Sequence, residues 1–172
     1  TWISEKDRGQ ADAINKGFDM VKGELVAWLN SDDTYLPGAV QQSVCYLEDH
    51  PEVGMLYGEG YHIDEDGELI ERYYTEPFDY QRLSEVCFIC QPTVFLRAGV
   101  VRTVGPLDIT LDYCLDYEYW MRIAKRFRIG YLEKYLANTR LHLDTKTLSK
   151  RVEVHQETLQ VVKRHYGQVP LR

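Results

Sequence analysis

Apolar and polar positions along the chain follow two periods, one helical and one strand-like. Ala11, Ile14, Phe18 and Val21 recur at three- and four-residue intervals, which predicts a helix over residues 10–22 with Gly23 just past its end. Leu25-Val26-Ala27-Trp28-Leu29 is a continuous apolar run and predicts a strand over 24–30, buried on both faces. Pro37 suits the first turn of a helix with Val40, Val44 and Leu47 as its apolar stripe, and Pro51 stops it after His50. Val53 to Gly58 predicts the next strand, with Gly58 and Gly60 leaving room for a close backbone approach. Residues 62–70 read as a hairpin with a Gly-containing turn, 78–85 as a short helix, 94–96 as a strand and 98–103 as another short helix. Tyr119, Trp120, Ile123 and Phe127 share one face of a helix over 116–127, Ile129 to Leu132 form a strand, and 149–166 form a final helix capped by Ser149. Strands and helices alternate, with no internal repeat and no dividing linker. The expected class is therefore α/β, in a single domain over 1–172.

Composition narrows the function classes. The 172 residues are 44% hydrophobic and 27% charged, an ordinary globular balance. No run of about 18 apolar residues is present to span a membrane, and no signal peptide is visible. The net charge of −7, without a basic tract, argues against a nucleic-acid surface but not against an anionic nucleotide, because a metal ion can reverse the local sign. Cys87 and Cys90 have CxxC spacing but no second ligand pair for zinc, so Cys45, Cys87, Cys90 and Cys114 read as reduced, mostly buried thiols. The chain begins Thr1-Trp2-Ile3 rather than Met, which points to a piece of something longer.

Four clusters could carry chemistry. Asn30-Ser31-Asp32-Asp33 ends the apolar run, where ligands bind in open α/β sheets. Adjacent carboxylates repel unless a cation lies between them, and a hard divalent ion backed by phosphate oxygens answers that need. The same residues also read as an Asx-rich turn capping the next helix. Asp7-Arg8-Gly9-Gln10 is a polar turn opening a helix, suited to an anion or to plain capping. Asp116 falls at a helix start, where the dipole favours its ionised form; it can take a proton from a hydroxyl nucleophile, or simply be the N-cap. Arg140 and His142 share one side of a strand; Arg can clamp phosphate and neutral His can ligate a metal, with isolated surface residues as the plain alternative.

In order, these clusters resemble the family 2 glycosyltransferases with the GT-A fold. The matching stretches are Asp-Arg-Gly-Gln-x-Asp-Ala-Ile-Asn-Lys-Gly (7–17), Gly-Glu-x-Val-Ala-Trp-Leu-Asn-Ser-Asp-Asp (23–33), Gln-Pro-Thr-Val-Phe (91–95), Asp-Tyr-Glu-Tyr-Trp-Met-Arg (116–122) and Arg-Leu-His (140–142). The resemblance implies a Rossmann-like mixed sheet flanked by helices. It implies inverting transfer of a sugar from a UDP- or GDP-linked donor to an acceptor hydroxyl, with Mn²⁺ or Mg²⁺ as cofactor. Asp32 matches the metal-binding end of the family's DxD-type motif, with Asp33 beside it as a further expected metal residue and His142 as a metal or diphosphate contact. Asn30 stands where many members have the first Asp, and is expected to contact nucleotide. Asp116 matches the general base of the Glu-Asp pair, with Leu115 in place of the Glu. Arg8, Gly9, Asn15 and Arg140 are expected to hold the nucleotide, whereas Ile14 replaces an Arg of many relatives. Partners implied are a glycan or lipid-linked acceptor in cell-surface polysaccharide or lipopolysaccharide synthesis, in the cytoplasm with peripheral association at the inner face of the membrane. Members usually begin with a strand, helix and strand that would precede Thr1. The chain then reads as the C-terminal two-thirds of a GT-A domain, with an exposed sheet edge and weak donor binding on its own. The rival class is a non-catalytic GT-A-like module that binds nucleotide or glycan. A nucleotidyltransferase would need a Gly-rich phosphate loop near its start, and none is present.

Overall fold

The computed structural model describes residues 2–141 and 150–168. Its elements are α1 (Gln10–Asp19), β1 (Leu25–Val26), β2 (Thr34–Tyr35), α2 (Ala39–Asp49), β3 (Val53–Ile63), β4 (Leu69–Arg72), α3 (Tyr80–Leu83), a 3₁₀ turn at Gln91–Thr93, β5 (Phe95–Arg97), α4 (Ala98–Val104), α5 (Leu115–Ala124), β6 (Arg128–Arg140) and α6 (Arg151–Tyr166). The sheet is mixed, in the order β1-β5-β3-β6-β2, with β4 paired to β3 as a hairpin. Only β3 and β6 run parallel; β1 with β5, β5 with β3 and β2 with β6 are antiparallel. This is the α/β class that the alternating pattern predicts.

A core lies on each face of the sheet, with an irregularity between Val53 and Met55 interrupting the alternation along β3. Leu96 of β5 and Met55 and Tyr57 of β3 join Trp120, Tyr119 and Ile123 of α5 and Val161 and Val162 of α6. Phe95, Val53 and Leu56 point the other way, to Ala39 and Leu47 of α2 and Leu136 of β6. Trp120, fully buried, stacks on Trp28 with ring centres 5.3 Å apart, and Phe18 of α1 meets Trp28 edge-on at 5.7 Å. Glu118 fastens α5 to α6: buried, it accepts a hydrogen bond from Arg122 Nε at 2.8 Å and lies 3.0 Å from His165 Nε2.

Several elements depart from their expected form. The run over 24–30 is paired at only two residues and lies at the margin of the sheet, so Leu29 is 40% exposed rather than buried on both faces. The first helix ends at Asp19, with Met20 as its C-cap in a right-handed conformation rather than a glycine at the end. Helix α2 begins at Ala39 after Gly38, whose φ is 81°, and its buried stripe is Ala39, Ser43 and Leu47, leaving Val40 51% exposed. Helix α5 ends at Ala124, so Phe127 packs on the core from beyond it. The strand expected over 129–132 runs on to Arg140, because its polar half pairs with β3 on one side and β2 on the other. Cys45 is exposed, against the expectation of mostly buried thiols, whereas Cys90 and Cys114 are buried. The Ser149 cap lies outside the described residues.

The glycines of β3 do allow a close approach. A Cβ on Gly58 would fall 2.5 Å from Leu136 Cδ1, and one on Gly60 would fall 2.6 Å from Cys90 Sγ.

Candidate active site

The loop after β1 is built around Asn30. Its Nδ2 donates to Asp33 Oδ2 at 2.9 Å and to Gln91 Oε1 at 3.0 Å, and its Oδ1 accepts from Gln10 Nε2 at 3.1 Å. Gln91 in turn donates to the Trp28 carbonyl at 3.0 Å. One amide thus ties the start of α1, the loop and the 3₁₀ turn before β5.

The two adjacent carboxylates have different surroundings. Asp33 is 7% exposed, and its Oδ1 accepts the backbone N–H of Arg140 at 3.1 Å. Burial pushes its carboxyl up; the Arg140 N–H and the Asn30 amide oppose that shift. Asp32 is exposed, and its carbonyl accepts from Arg140 Nε at 3.1 Å. Arg140 Nη1 donates to the carbonyls of Asp64 and Glu65, so this guanidinium also anchors the β3–β4 turn. The charge of Asp32 still raises the Asp33 pKa, and hydrogen bonds from Arg140 and Asn30 offset it at the buried carboxylate.

Asp116 is the second residue of α5. The N-cap position is Cys114, which makes no side-chain cap bond, and Asp116 satisfies a first-turn amide instead, so its capping role stands beside any chemical one. Asp116 Oδ1 accepts the Tyr117 N–H at 2.7 Å. Burial nevertheless raises its pKa above the ordinary aspartate value, and the charge of Glu157 adds to the rise. Desolvation thus outweighs the hydrogen bonds that favour the charged form.

Cys90 feels the charge of both acidic residues. Burial pushes its thiol far up, and both Asp33 and Asp116 add to that rise, so it lies within the field of both. Tyr73, raised chiefly by burial, also feels Asp116, Cys87 and Cys90. His62 packs on Tyr73 with ring centres 5.0 Å apart; burial lowers its pKa against the opposing charges of Glu71 and Asp33. Its Nδ1 is buried with no hydrogen-bond partner among the described residues. The pattern of residues 62–70 predicts a hairpin and carries no signal for the burial of His62.

The structure therefore gathers Asn30, Asp32, Asp33 and Arg140 into one hydrogen-bonded cluster, which no hydrogen bond among the described residues extends to Asp116. The other expected nucleotide contacts sit along α1. Gly9 is the N-cap of α1, with φ at 119°. Arg8 is exposed and donates to Asp12 through its N–H and guanidinium, which holds the Asp12 carboxyl at about 2. Asn15 uses both ends of its amide on the backbone of Leu107, at 2.9 and 2.8 Å, a tie between α1 and the loop after α4. A cavity of about 670 Å³ beside Arg8, Asn15, Asp108 and Arg122 includes neither Asp32 nor Asp116. His142 lies outside the described residues.

No three His, Cys, Asp or Glu side chains converge on a metal position among the described residues. The exposed Asp32 carboxylate is still compatible with a hard divalent ion that takes its other ligands from water and a diphosphate. No helix among the described residues is long and apolar enough to cross a membrane.

Comparison with known proteins places this geometry in context. Residues 3–105 match the family described as Glycosyl transferase family 2. An uncharacterized glycosyltransferase of Methanocaldococcus jannaschii is 23% identical over 143 residues, covering 80% of this chain and 49% of its own length. The chain thus spans about half the length of that curated relative. Among solved structures, S. aureus TarS 1–349 in complex with UDP-GlcNAc superposes with a TM-score of 0.70 at 13% identity, covering 99% of this chain and 50% of that one. The mannosyltransferase PcManGT of Pyrobaculum calidifontis, in complex with GDP-Man and Mn²⁺, gives 0.64 at 14% identity, with 97% and 46% covered.

Proposed function

The chain belongs to glycosyltransferase family 2, and from that premise we propose that it carries the metal and acceptor side of an inverting sugar transfer from a nucleoside-diphosphate sugar. The observation that carries the reading is the presence of an exposed Asp32, at the end of the apolar run, and a half-buried Asp116 whose pKa desolvation raises. A divalent ion held by Asp32, with His142 as a second ligand, would supply Lewis-acid neutralisation of the departing nucleoside diphosphate. Asp33 supports Asp32 from beneath by fixing Arg140, and Asn30 holds the loop that presents both. Arg8, Gly9 and Asn15 line or brace the nucleotide side.

Asp116 removes the acceptor hydroxyl proton as that oxygen attacks the anomeric carbon opposite the leaving group. A carboxylate raised by burial is a stronger base than an exposed one, and positioning supplies the rest. The acceptor is a glycan or lipid-linked hydroxyl of a cell-surface polymer, and the enzyme associates with the cytoplasmic membrane face from which such an acceptor is reached.

The test is Mn²⁺- or Mg²⁺-dependent hydrolysis of a panel of UDP-, GDP- and dTDP-sugars by the complete protein, with Asp32→Ala and Asp116→Asn alongside. Metal-dependent turnover of one donor, abolished in Asp32→Ala, supports the reading. Nucleotide binding without turnover would favour a non-catalytic module instead.

A further inference from the structure

The start of α5 is held by a residue from the far end of the chain. Three successive backbone N–H groups, of Asp112, Tyr113 and Cys114, donate to the one carboxylate of Glu157 on α6. Oε2 takes Asp112 at 2.9 Å, and Oε1 takes Tyr113 at 2.8 Å and Cys114 at 2.6 Å. Consecutive amides arranged in this way form a concave nest for an anion. Here the anion is a side chain more than forty residues along the sequence. Cys114 has no side-chain cap of its own, and its Sγ lies 3.2 Å from Thr158 Oγ1, the residue after Glu157. Asp116 follows Cys114 by two residues.

Docking of α6 alone does not require this. Val161 and Val162 already seat the helix in the core, and His165 meets Glu118. The three charge-assisted hydrogen bonds act on the segment that leads into Asp116. We propose that Glu157 is a positioning residue for the transfer reaction: it pins residues 112–114 so that the Asp116 carboxylate meets the acceptor hydroxyl. This rests on the reading of Asp116 as the base. A shift of that carboxylate by about 1 Å is enough to cost roughly a hundredfold in rate.

The chemistry of Gln at this position is informative. Glu157→Gln keeps one oxygen for Tyr113 and Cys114 but sets an amide donor against the Asp112 N–H. It also removes a charge that raises the Asp116 pKa. The titratable groups facing Asp116 are Tyr73 after β4, Cys87 and Cys90 before β5, Cys114, and Glu157 itself.

The experiment compares the complete protein with Glu157→Gln and Asp116→Asn, reading kcat, donor KM, the pH profile and amide hydrogen exchange at residues 112–114. We expect slow exchange of the Tyr113 and Cys114 amides in the unaltered protein and faster exchange in Glu157→Gln. Its kcat should fall about tenfold or more at unchanged donor KM, with the acid limb moved to lower pH. Should Glu157→Gln not fold, Glu157→Asp, which keeps the charge but withdraws it by one methylene, carries the exchange, kcat and donor KM readouts, with the acid limb unmoved. Fast exchange in the unaltered protein, or an unchanged kcat in Glu157→Gln beside an inactive Asp116→Asn, overturns the positioning role and leaves the base intact. Full turnover by Asp116→Asn removes the base assignment, and the positioning role with it.

Discussion

Replacing Thr93 with Val tests the seam between the sheet and the site more sharply than any substitution of an acidic residue. Thr93 is fully buried on the 3₁₀ turn. Its Oγ1 accepts the Gly58 N–H at 3.1 Å and, as donor, lies 3.0 Å from the Gly58 carbonyl and 2.7 Å from that of Cys90. Gly58 needs this partner because the β3–β6 register shifts between Gly58 and Glu59. Val has nearly the volume of Thr, so the substitution opens no cavity; it removes the hydroxyl and leaves a buried N–H without an acceptor. An orphaned buried donor costs about 1–3 kcal/mol, and a carbonyl that loses its donor adds to that, so we expect a loss of roughly 2–4 kcal/mol. For a chain of this size that lowers Tm by roughly 5–15 °C. Urea unfolding with linear extrapolation reads the change directly. Two controls sharpen it. Thr103→Val, at an exposed position where the hydroxyl bonds only within its own helix, should stay within about 0.5 kcal/mol. Thr93→Ser keeps the hydroxyl and should lose only about 1 kcal/mol, for the buried methyl. If Thr93→Val is as mild as Thr103→Val, the hydroxyl is not the missing ladder partner and the account of this seam is wrong.

The remaining expectations concern the site and its supports. Asp33→Asn should destabilise the fold by about 1–3 kcal/mol, because its amide would face the Asn30 or Arg140 donor, whereas Asp32→Ala should leave stability within about 0.5 kcal/mol; equal Tm shifts in thermal melts would contradict the division into a buried and an exposed carboxylate. Gly60→Ala places a methyl 2.6 Å from Cys90 Sγ and should cost about 1–3 kcal/mol, and Cys90→Ala in the same chain should recover part of it; strict additivity in the double-mutant cycle would dismiss the close approach. For turnover, Asp116 acts ionised and its pKa is raised by burial, so the acid limb of kcat should lie above the ordinary aspartate range; a limb below pH 4 would count against it as the base. For stability the sign is opposite at two other carboxylates. Hydrogen bonds from Arg8 hold Asp12 at about 2, and at Asp108 bonds from Thr110 and Arg164 outweigh burial to the same value. Their contribution is therefore complete above about pH 4 and lost as pH falls towards 2, which acid titration of the folded fraction measures.

The sequence by itself determined the α/β class, the placement of most elements and the family, because these rest on local periodicity and on motifs of adjacent residues. The apolar face of Tyr119, Trp120 and Ile123 reads directly from spacing, and all three are fully buried. The Asp-Arg-Gly-Gln stretch, the Asn-Ser-Asp-Asp turn and Asp116 are legible because each stands in a short recognisable pattern. Sequence did not determine what each charged group experiences, since that depends on neighbours brought from elsewhere. Asp32 and Asp33 are indistinguishable as a pair of letters, and only the strand crossing beside them, which delivers the Arg140 N–H, makes one buried and leaves the other exposed. The place of Asp116 at a helix start is legible in the sequence, whereas the desolvation that raises its pKa is not. Asn15 lies in a nucleotide-type motif yet has both ends of its amide engaged by Leu107, a partner 92 positions away. Glu157 has no local signal at all, because its three hydrogen bonds are made to backbone amides, which any sequence at 112–114 would offer. Local periods set which segments fold and which way they face; desolvation and the pairing of polar groups are properties of the assembled interior, and only the tertiary structure decided them.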